Sequence, residues 1–297
     1  MSIGFVVPLL AAAWVAGVAS LLQRRLRPEV AARSLAVTCV AVAAASIWAL
    51  LTVVLGALAD FSRVDRWSSW CPSLYRAGDH VPVWASLGAG ALLAVAVMRT
   101  ARVVISERRT RRRLPTCDDG VLIIHSAQPA AYAVPGRHGG VVVSTGMIDA
   151  LEPSEQEVMW AHERSHLVHK HHRYLMATEM AVAIVPPLRR LTNQVQFATE
   201  RWADEDAASQ VGGDRTLVAR AIARAALASV DHRRSAMALA DTGVGERVRA
   251  MIEVDRSFLA PLLGAAVGVA VMASAVAGSG FQLHHLVAFV AHVCGGG

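Results

Sequence analysis

The fold of this chain is decided by the stretch VMWAHERSH, residues 158–166, whose last five residues form an HExxH pattern. On a helix, His162 and His166 lie four residues apart on one face, where both imidazoles can bind one zinc ion. Glu163 lies beside them and can accept a proton from a water that zinc has made more acidic. The stretch therefore predicts a helix with two zinc ligands and a general base, as in zinc peptidases.

The residues before this stretch predict where the helix begins. Ser154 is the expected N-cap and Glu157 the N3 residue of a capping box, directly after Pro153. A surface helix with two solvated histidines is the alternative. The capped start and the apolar residues 158–161 favour the metal site.

A third protein ligand is needed, because a catalytic zinc ion usually has three of them and one water. Glu200 and Asp204 are four residues apart on a helix predicted over residues 191–210. We expect Glu200 to bind the metal and Asp204 to hydrogen-bond a ligand histidine and fix its tautomer. Glu205 and Asp206 are expected to face solvent or to surround the ligands. A solvated acidic stretch is the alternative for the whole segment.

His172 is the rival third ligand, because it completes the spacing HExxHxxxxxH with His162 and His166. In metzincins that spacing has a glycine in the middle, which turns the chain back to the metal. Here His169 takes that position, and a straight helix would carry His172 away. His169, His171 and His172 are therefore expected at the surface near the site.

The composition indicates a membrane protein. Hydrophobic residues make up 54% of the 297 residues and charged residues 18%, whereas soluble domains average about 25% charged. The mean hydropathy is +0.41. The net charge is +6, but the arginines flank apolar blocks, so the positive-inside rule explains them better than nucleic-acid binding. The blocks contain few polar groups, which argues against a transporter.

Four blocks are long enough, or nearly so, to cross a bilayer, which takes about 20 apolar residues. They are residues 3–22, 35–58, 81–98 and 258–276. Basic residues follow the first and third blocks and are densest over residues 99–113. Both loops are therefore expected in the cytoplasm, and the N- and C-termini outside.

Three parts follow from this topology. Residues 1–113 hold three transmembrane helices, residues 114–256 form a cytoplasmic zinc domain, and residues 257–297 hold the fourth transmembrane helix and an extracellular tail. Residues 121–125 and 141–144 are short β-branched runs that predict strands. The second strand is expected to offer an edge to an extended substrate. The predicted fold class is a mainly α membrane protein with an α+β zinc domain.

The four cysteines are Cys39, Cys71, Cys117 and Cys294. None forms a CxxC pair, which argues against a cysteine zinc site. In the predicted topology Cys71 and Cys294 lie outside, where disulfides persist. A bridge and two free thiols both remain open for this pair.

Three stretches carry a family resemblance. They are residues 131–136, residues 141–147, and the HExxH helix together with Glu200-x-x-Ala203-Asp204. They resemble the membrane-integral gluzincins of the BlaR/MecR type, which are antibiotic-sensor zinc peptidases, and more distantly the HtpX and CAAX-protease family. The resemblance is close over residues 114–230. It implies a gluzincin-type protease with His162, His166 and Glu200 as ligands and Glu163 as general base.

Two features separate these relatives. HtpX-like enzymes typically place membrane spans between HExxH and the third ligand, whereas here the apolar residues 174–188 are too short to span, which favours the BlaR/MecR type. Those sensors carry an extracellular penicillin-binding domain after the last span, and only residues 277–297 follow it here. Direct β-lactam sensing is therefore not expected.

The expected function is endoproteolysis of a cytoplasmic or membrane-proximal protein. By resemblance, the substrate would be a transcriptional repressor, the chain itself or another membrane-associated protein. A signalling scaffold without turnover and a quality-control protease for membrane proteins are the alternatives. The expected partners are zinc, the lipid bilayer and a protein or peptide substrate, with no direct nucleic acid. The sequence leaves oligomerisation open.

Overall fold

The computed structural model describes residues 26–61, 83–117, 120–136, 139–233 and 243–253. This part of the chain is mostly helical and includes one small sheet. Its helices are α1 (Pro28–Phe61), α2 (Val83–Arg111), α3 (Thr145–Ala150), α4 (Pro153–Val168), α5 (His171–Ile184), α6 (Arg189–Gln210), α7 (Arg215–Arg233) and α8 (Val244–Ile252), with a 3-10 turn, Pro186–Leu188, between α5 and α6. Its strands are β1 (Val121–Ile124), β2 (Ala131–Val134) and β3 (Gly140–Ser144).

Two of these helices are long and apolar enough to cross a membrane. In α1 the apolar stretch is Pro28–Leu51, which has a mean hydropathy of 2.1, and in α2 it is Val83–Arg111, which has a mean hydropathy of 1.6. α1 contains the predicted second span, residues 35–58, and α2 covers residues 83–98 of the predicted third span. However, α2 does not end at Met98, so the basic run that follows is helical and not a loop.

Some predictions fall on other parts of the chain. The predicted spans at residues 3–22 and 258–276 lie outside the described residues, as do Cys71 and Cys294. The four-span topology therefore stays a prediction, and a bridge and two free thiols both stay open for Cys71 and Cys294.

The sheet has the strand order β1-β3-β2. β1 pairs with β3 in parallel and β2 pairs with β3 antiparallel. All five residues of β3 are buried, since this strand is the middle of the sheet. The predicted edge at residues 141–144 is therefore wrong, and the edge beside α4 belongs to β2. β2 has the sequence AYAV, and its two alanines weaken the strand signal.

The start of α4 differs from the prediction. Its N-cap is Glu152 and Pro153 is its first residue, where a missing N–H costs nothing. The Glu155 carboxylate accepts a hydrogen bond from the backbone N–H of Glu152 at 3.0 Å. The capping box therefore lies two residues earlier than the predicted box of Ser154 and Glu157.

A break separates α4 from α5. Lys170 has a φ of 55° and is the only non-glycine residue with positive φ among the described residues. α4 ends at Val168 and the new helix begins at His171. The prediction of a straight helix through His172 is therefore wrong, because lysine takes the left-handed conformation that the absence of glycine seemed to exclude.

The first half of α1 packs on the helices of the zinc domain. Leu35, Cys39 and Val42 of α1 are buried against Val182 of α5 and Val195 of α6. A smaller cluster joins the start of α1 to Trp202 of α6. The membrane-type helix and the zinc domain therefore share one hydrophobic core.

Candidate metal centre

Three side chains from two helices converge at one point. His162 and His166 lie on one face of α4, and their Nε2 atoms are 3.2 Å apart. Glu200 of α6 places Oε2 3.4 Å from Nε2 of His162 and Oε1 3.6 Å from Nε2 of His166. One donor atom from each residue lies within 4.8 Å of the other two. The structure thus brings together the three residues that the sequence predicts as ligands.

The position of Glu200 follows from the two faces of α6. Leu191, Val195 and Trp202 form an apolar stripe that packs on α1. Glu200 and Asp204 share a different face, which meets α4. Because α6 is fixed on its apolar side, its acidic side is held against the histidines.

Asp204 is fully buried beside the first histidine. Its Oδ1 is 3.0 Å from Nδ1 of His162. A proton on Nδ1 leaves the Nε2 lone pair free to face Glu200, which is the tautomer a metal ligand needs. The predicted contact of Asp204 with a ligand histidine is present.

Arg247 of α8 completes the site, and the sequence reasoning missed it. Its guanidinium donates to both carboxylate oxygens of Asp204, at 2.6 and 2.8 Å. A third nitrogen lies 3.1 Å from Oε2 of Glu200. Burial alone would oppose ionisation, but the hydrogen bonds and charges of His162 and Arg247 hold the pKa values of Glu200 and Asp204 below their ordinary values.

His171 contacts His166, the second predicted ligand. It is 1% exposed, and its Nδ1 lies 2.9 Å from Nδ1 of His166. If His166 offers Nε2 to a metal, its Nδ1 carries the proton and donates it to His171. Nε2 of His171 is then the protonated nitrogen, and it has no partner among the described residues. The expectation of a surface position for His171 is wrong, because the turn at Lys170 folds it inward.

Glu163 faces the sheet edge. Burial raises the pKa of its carboxyl above the ordinary value, and a hydrogen bond from the backbone N–H of Ala133 in β2 opposes that shift. A carboxylate with a raised pKa is a better proton acceptor near neutral pH. Its place beside the ligands suits the predicted role of a base.

The other charged residues lie around the ligands. Ser165 donates to Oδ2 of Asp206 at 2.6 Å, and Nε2 of His169 is 2.8 Å from the same oxygen. Glu205 forms an ion pair with Arg215. His172 is half-buried; burial lowers its pKa, and the charge of nearby Arg111 of α2 lowers it further. His172 is not part of the group of possible metal ligands.

The donor set fits zinc. Two imidazole nitrogens and one carboxylate are three protein ligands of the types that catalytic zinc takes. Burial lowers the pKa of His166 to about 4, so that this ring is neutral and able to ligate at neutral pH. The partners that hold His162 and His166 in place are also present. The site therefore has the ligands and the supporting groups that a zinc ion requires.

An HExxH helix that faces a glutamate on a second helix is the arrangement typical of zinc metallopeptidases with a glutamate ligand. The sequence pattern of Peptidase family M48 matches residues 99–250, just over half of the 297 residues. The chain belongs to Peptidase family M48, a zinc metallopeptidase family that includes HtpX-like enzymes. The match does not identify the BlaR/MecR type. No curated protein and no solved structure matches the chain.

Proposed function

We propose that this chain is a membrane-embedded zinc endopeptidase that cleaves a cytoplasmic or membrane-proximal protein. The observation that carries the proposal is the convergence of His162, His166 and Glu200 beside Glu163. When bound, zinc would activate a water and polarise the scissile carbonyl. Glu163 takes the proton from that water and passes it to the leaving amine.

The other residues hold this arrangement. Asp204 and His171 orient the two ligand histidines through Nδ1. Arg247 fixes both Asp204 and Glu200. Its charge also balances the carboxylates of Glu200 and buried Asp204, which would otherwise repel each other.

β2 offers a place for the substrate backbone. The backbone N–H of Ser144 donates to the carbonyl of Ala130 at 2.8 Å, so these two residues form a hydrogen-bonded pair. Such pairs alternate along antiparallel strands, so the N–H and C=O groups of Tyr132 and Val134 point towards β3. The N–H and C=O groups of Ala131 and the C=O of Ala133 then face away from β3, and the N–H of Ala133 donates to Glu163. An extended peptide can add to this edge as a strand, which places its carbonyls beside Glu163.

The membrane location rests on α1 and α2. α2 exposes Trp84, Leu87, Leu92 and Val97, which lipid would cover. Its last turn carries three arginines, which by the positive-inside rule lie on the cytoplasmic side. The zinc domain follows that turn directly, which supports the proposal that it lies in the cytoplasm.

The substrate is proposed to be a regulatory protein such as a transcriptional repressor, or the chain itself, as in the BlaR/MecR type. Support comes from the interval between the HExxH helix and Glu200. It holds α5, which has 14 residues, whereas a membrane span takes about 20. The interval thus lacks the spans that HtpX-like enzymes typically have there.

Glu163→Gln tests the proposal. The purified variant should keep zinc and lose about 10²–10⁴-fold in peptidase activity, because it lacks only the general base. Glu157→Gln is the matched control, since Glu157 is exposed on the same helix. Zinc content is measured by atomic absorption, and cellular fragments that depend on Glu163 by mass spectrometry of new N-termini.

The set of fragments that depend on Glu163 distinguishes the candidate functions. Fragments of one or a few proteins support a regulatory protease. Fragments of many membrane proteins point to quality control instead. A zinc-loaded wild type with no fragment and no peptide cleavage that depends on Glu163 contradicts the proposal and favours a scaffold.

A further inference from the structure

A cavity of about 470 Å³ lies between the two membrane-type helices and α5, away from the metal centre. α1 contributes Ile47 to its wall, and α5 contributes Ile184, the last residue of that helix. The other lining residues come from α2, over residues 93–105. Among the described residues that line it, Thr100 is the only polar one. The volume lies within the range of small-molecule sites, about 300–1,000 Å³, and the wall suits an apolar ligand.

The cavity is open at the side of α2. Val97 and Ile105 both line it and are 68% and 48% exposed. Of the apolar stretch of α2, 11% is buried, against 44% for that of α1. In the proposed membrane location these exposed side chains meet the lipid hydrocarbon. A lipid chain can therefore enter the cavity sideways, without passing through the protein.

The face of α2 that lines the cavity continues into arginines. Arg108 and Arg111 lie four and seven residues after Val104, so all three residues share one side of the helix. A rise of about 1.5 Å per residue places Arg108 about 6 Å beyond Val104 along the axis. Arg99 and Arg102 lie five and two residues before Val104, which turns them to the other side. The cavity therefore ends next to two of the arginines and not next to all of them.

The start of α5 adds further cations at this end of the cavity. Lys170 and Arg173 are exposed there. Burial lowers the pKa of His172, and the charges of Arg111, Arg173 and Lys170 lower it further, so these three cations lie around one ring. Glu107 is the acid of this group and pairs with Arg111 at 2.6 Å. Three cations against one carboxylate leave the group with a net positive charge.

From this arrangement we infer that the cavity and the neighbouring cations bind one anionic phospholipid. An acyl chain lies in the cavity between α1, α2 and α5, and the phosphate lies against Arg108 and Arg111. Arginine binds phosphate through two parallel hydrogen bonds, and basic pockets between membrane helices are typical sites for anionic headgroups. A zwitterionic headgroup fits less well, because its own cation would face Lys170 and Arg173.

The inference goes beyond the proposed peptidase function. It rests on the proposed membrane location of α1 and α2, but no residue that lines the cavity belongs to the metal centre.

The headgroup contact is tested with the full-length chain in non-ionic detergent micelles, by native mass spectrometry with phosphatidylglycerol and phosphatidylcholine in competition. Wild type should prefer phosphatidylglycerol by at least about tenfold, since each basic residue near an anionic lipid contributes about fivefold in affinity. The double variant Arg108→Gln, Arg111→Gln should lose this preference. The matched control is Arg99→Gln, Arg102→Gln, which removes the same charge from the other side of α2 and should keep it. Glycerol phosphate, a headgroup without acyl chains, should not displace the lipid.

The acyl-chain contact is tested by filling the cavity. Ala101→Trp leaves the arginines in place and should lower the affinity for phosphatidylglycerol by at least about fivefold, because the chain loses its contacts with the wall. Ala91→Trp is the control, since Ala91 is exposed on α2 and does not line the cavity. This pair also decides the question if the double arginine variant does not fold.

Several outcomes would overturn the inference. They are equal affinities for the two lipids, equal losses in the arginine pair and its control, and an unchanged affinity in Ala101→Trp. A dimer that dissociates in Ala101→Trp, with no lipid retained by wild type, would assign the cavity to a second copy of the chain instead. Flotation separates the lipid site from the membrane location. Wild type that floats with phosphatidylcholine vesicles but does not prefer phosphatidylglycerol overturns the lipid site alone, whereas wild type that floats with neither lipid contradicts both.

Discussion

Arg247→Ala should destabilise the zinc-free protein more than the zinc-loaded protein. Arg247 is 12% exposed and holds Asp204, which is 1% exposed, through two hydrogen bonds. Hydrogen bonds to Asp204 and Glu200 outweigh burial and raise the pKa of His162 to about 10, so this ring is charged in the zinc-free protein. Two cations, Arg247 and His162, then face the two anions, Asp204 and Glu200.

The magnitude follows from the burial of these groups. Removing one partner of a buried ion pair costs about 3–5 kcal/mol. With zinc, the metal itself supplies positive charge beside Glu200, so the loss of Arg247 leaves less uncompensated charge. We expect Arg247→Ala to lower the free energy of unfolding by about 3 kcal/mol or more without zinc, and by clearly less with zinc. At about 2–4 °C per kcal/mol, the zinc-free Tm should fall by at least about 6 °C.

The assay is thermal unfolding followed by tryptophan fluorescence, with excess chelator and with excess zinc. Arg247→Lys keeps the positive charge but loses the bidentate contact with Asp204, so its Tm should lie between those of wild type and Arg247→Ala. Arg249→Ala is the control, because Arg249 is 73% exposed on the same helix and should have no measurable effect. An equal loss of Tm with and without zinc would refute the reasoning about charge balance.

Three other predictions follow from the same geometry. His171→Ala should weaken zinc binding by about 10–100-fold in a chelator competition, and His171→Asn should partly restore it. His172→Ala is the control and should leave zinc affinity unchanged, whereas equal zinc affinities for wild type and His171→Ala would contradict the role of His171. Zinc binding at pH 7.5 should release about one proton from His162, since the pKa of His162 is about 10 and that of His166 about 4. Calorimetry in buffers of different ionisation enthalpy measures the number of protons released, and a value of zero would contradict the charged state of His162. A reporter fused after Arg113 should be cytoplasmic, and one within residues 62–82 should be outside; the reverse pattern would end the proposal of a cytoplasmic protease.

The spacing of residues within single helices was enough to predict most of the candidate metal site. The positions of His162 and His166, and of Glu200 and Asp204, are each four residues apart, so each pair had to share a helix face. The sequence did not show that these two helices meet. However, two imidazoles and a carboxylate are the ligand types of catalytic zinc, so a single shared zinc site was the simplest prediction. The long apolar helices were also predictable, because they depend on composition more than on contacts.

Tertiary contacts explain what was missed. Arg247 lies 43 residues from Asp204, in a segment with no local pattern that would pair it with an acidic residue. The burial of His171 depends on one left-handed residue, Lys170, at a position where most side chains avoid that conformation. The sheet edge was assigned to the wrong strand, because a short run such as that of β3 does not reveal its neighbours.

The shared packing of α1 has a practical consequence for dissecting this enzyme. Arg33 of α1 lies over the ring of Trp202 at 4.8 Å, and Trp202 contacts His171, which in turn contacts His166. A soluble fragment cut at residue 114 would leave Trp202 and the apolar side of α6 facing water. The helices around the candidate metal centre therefore pack on α1 as well as on each other. Three side chains, those of Arg33, Trp202 and His171, thus connect α1 to His166 at the candidate metal centre.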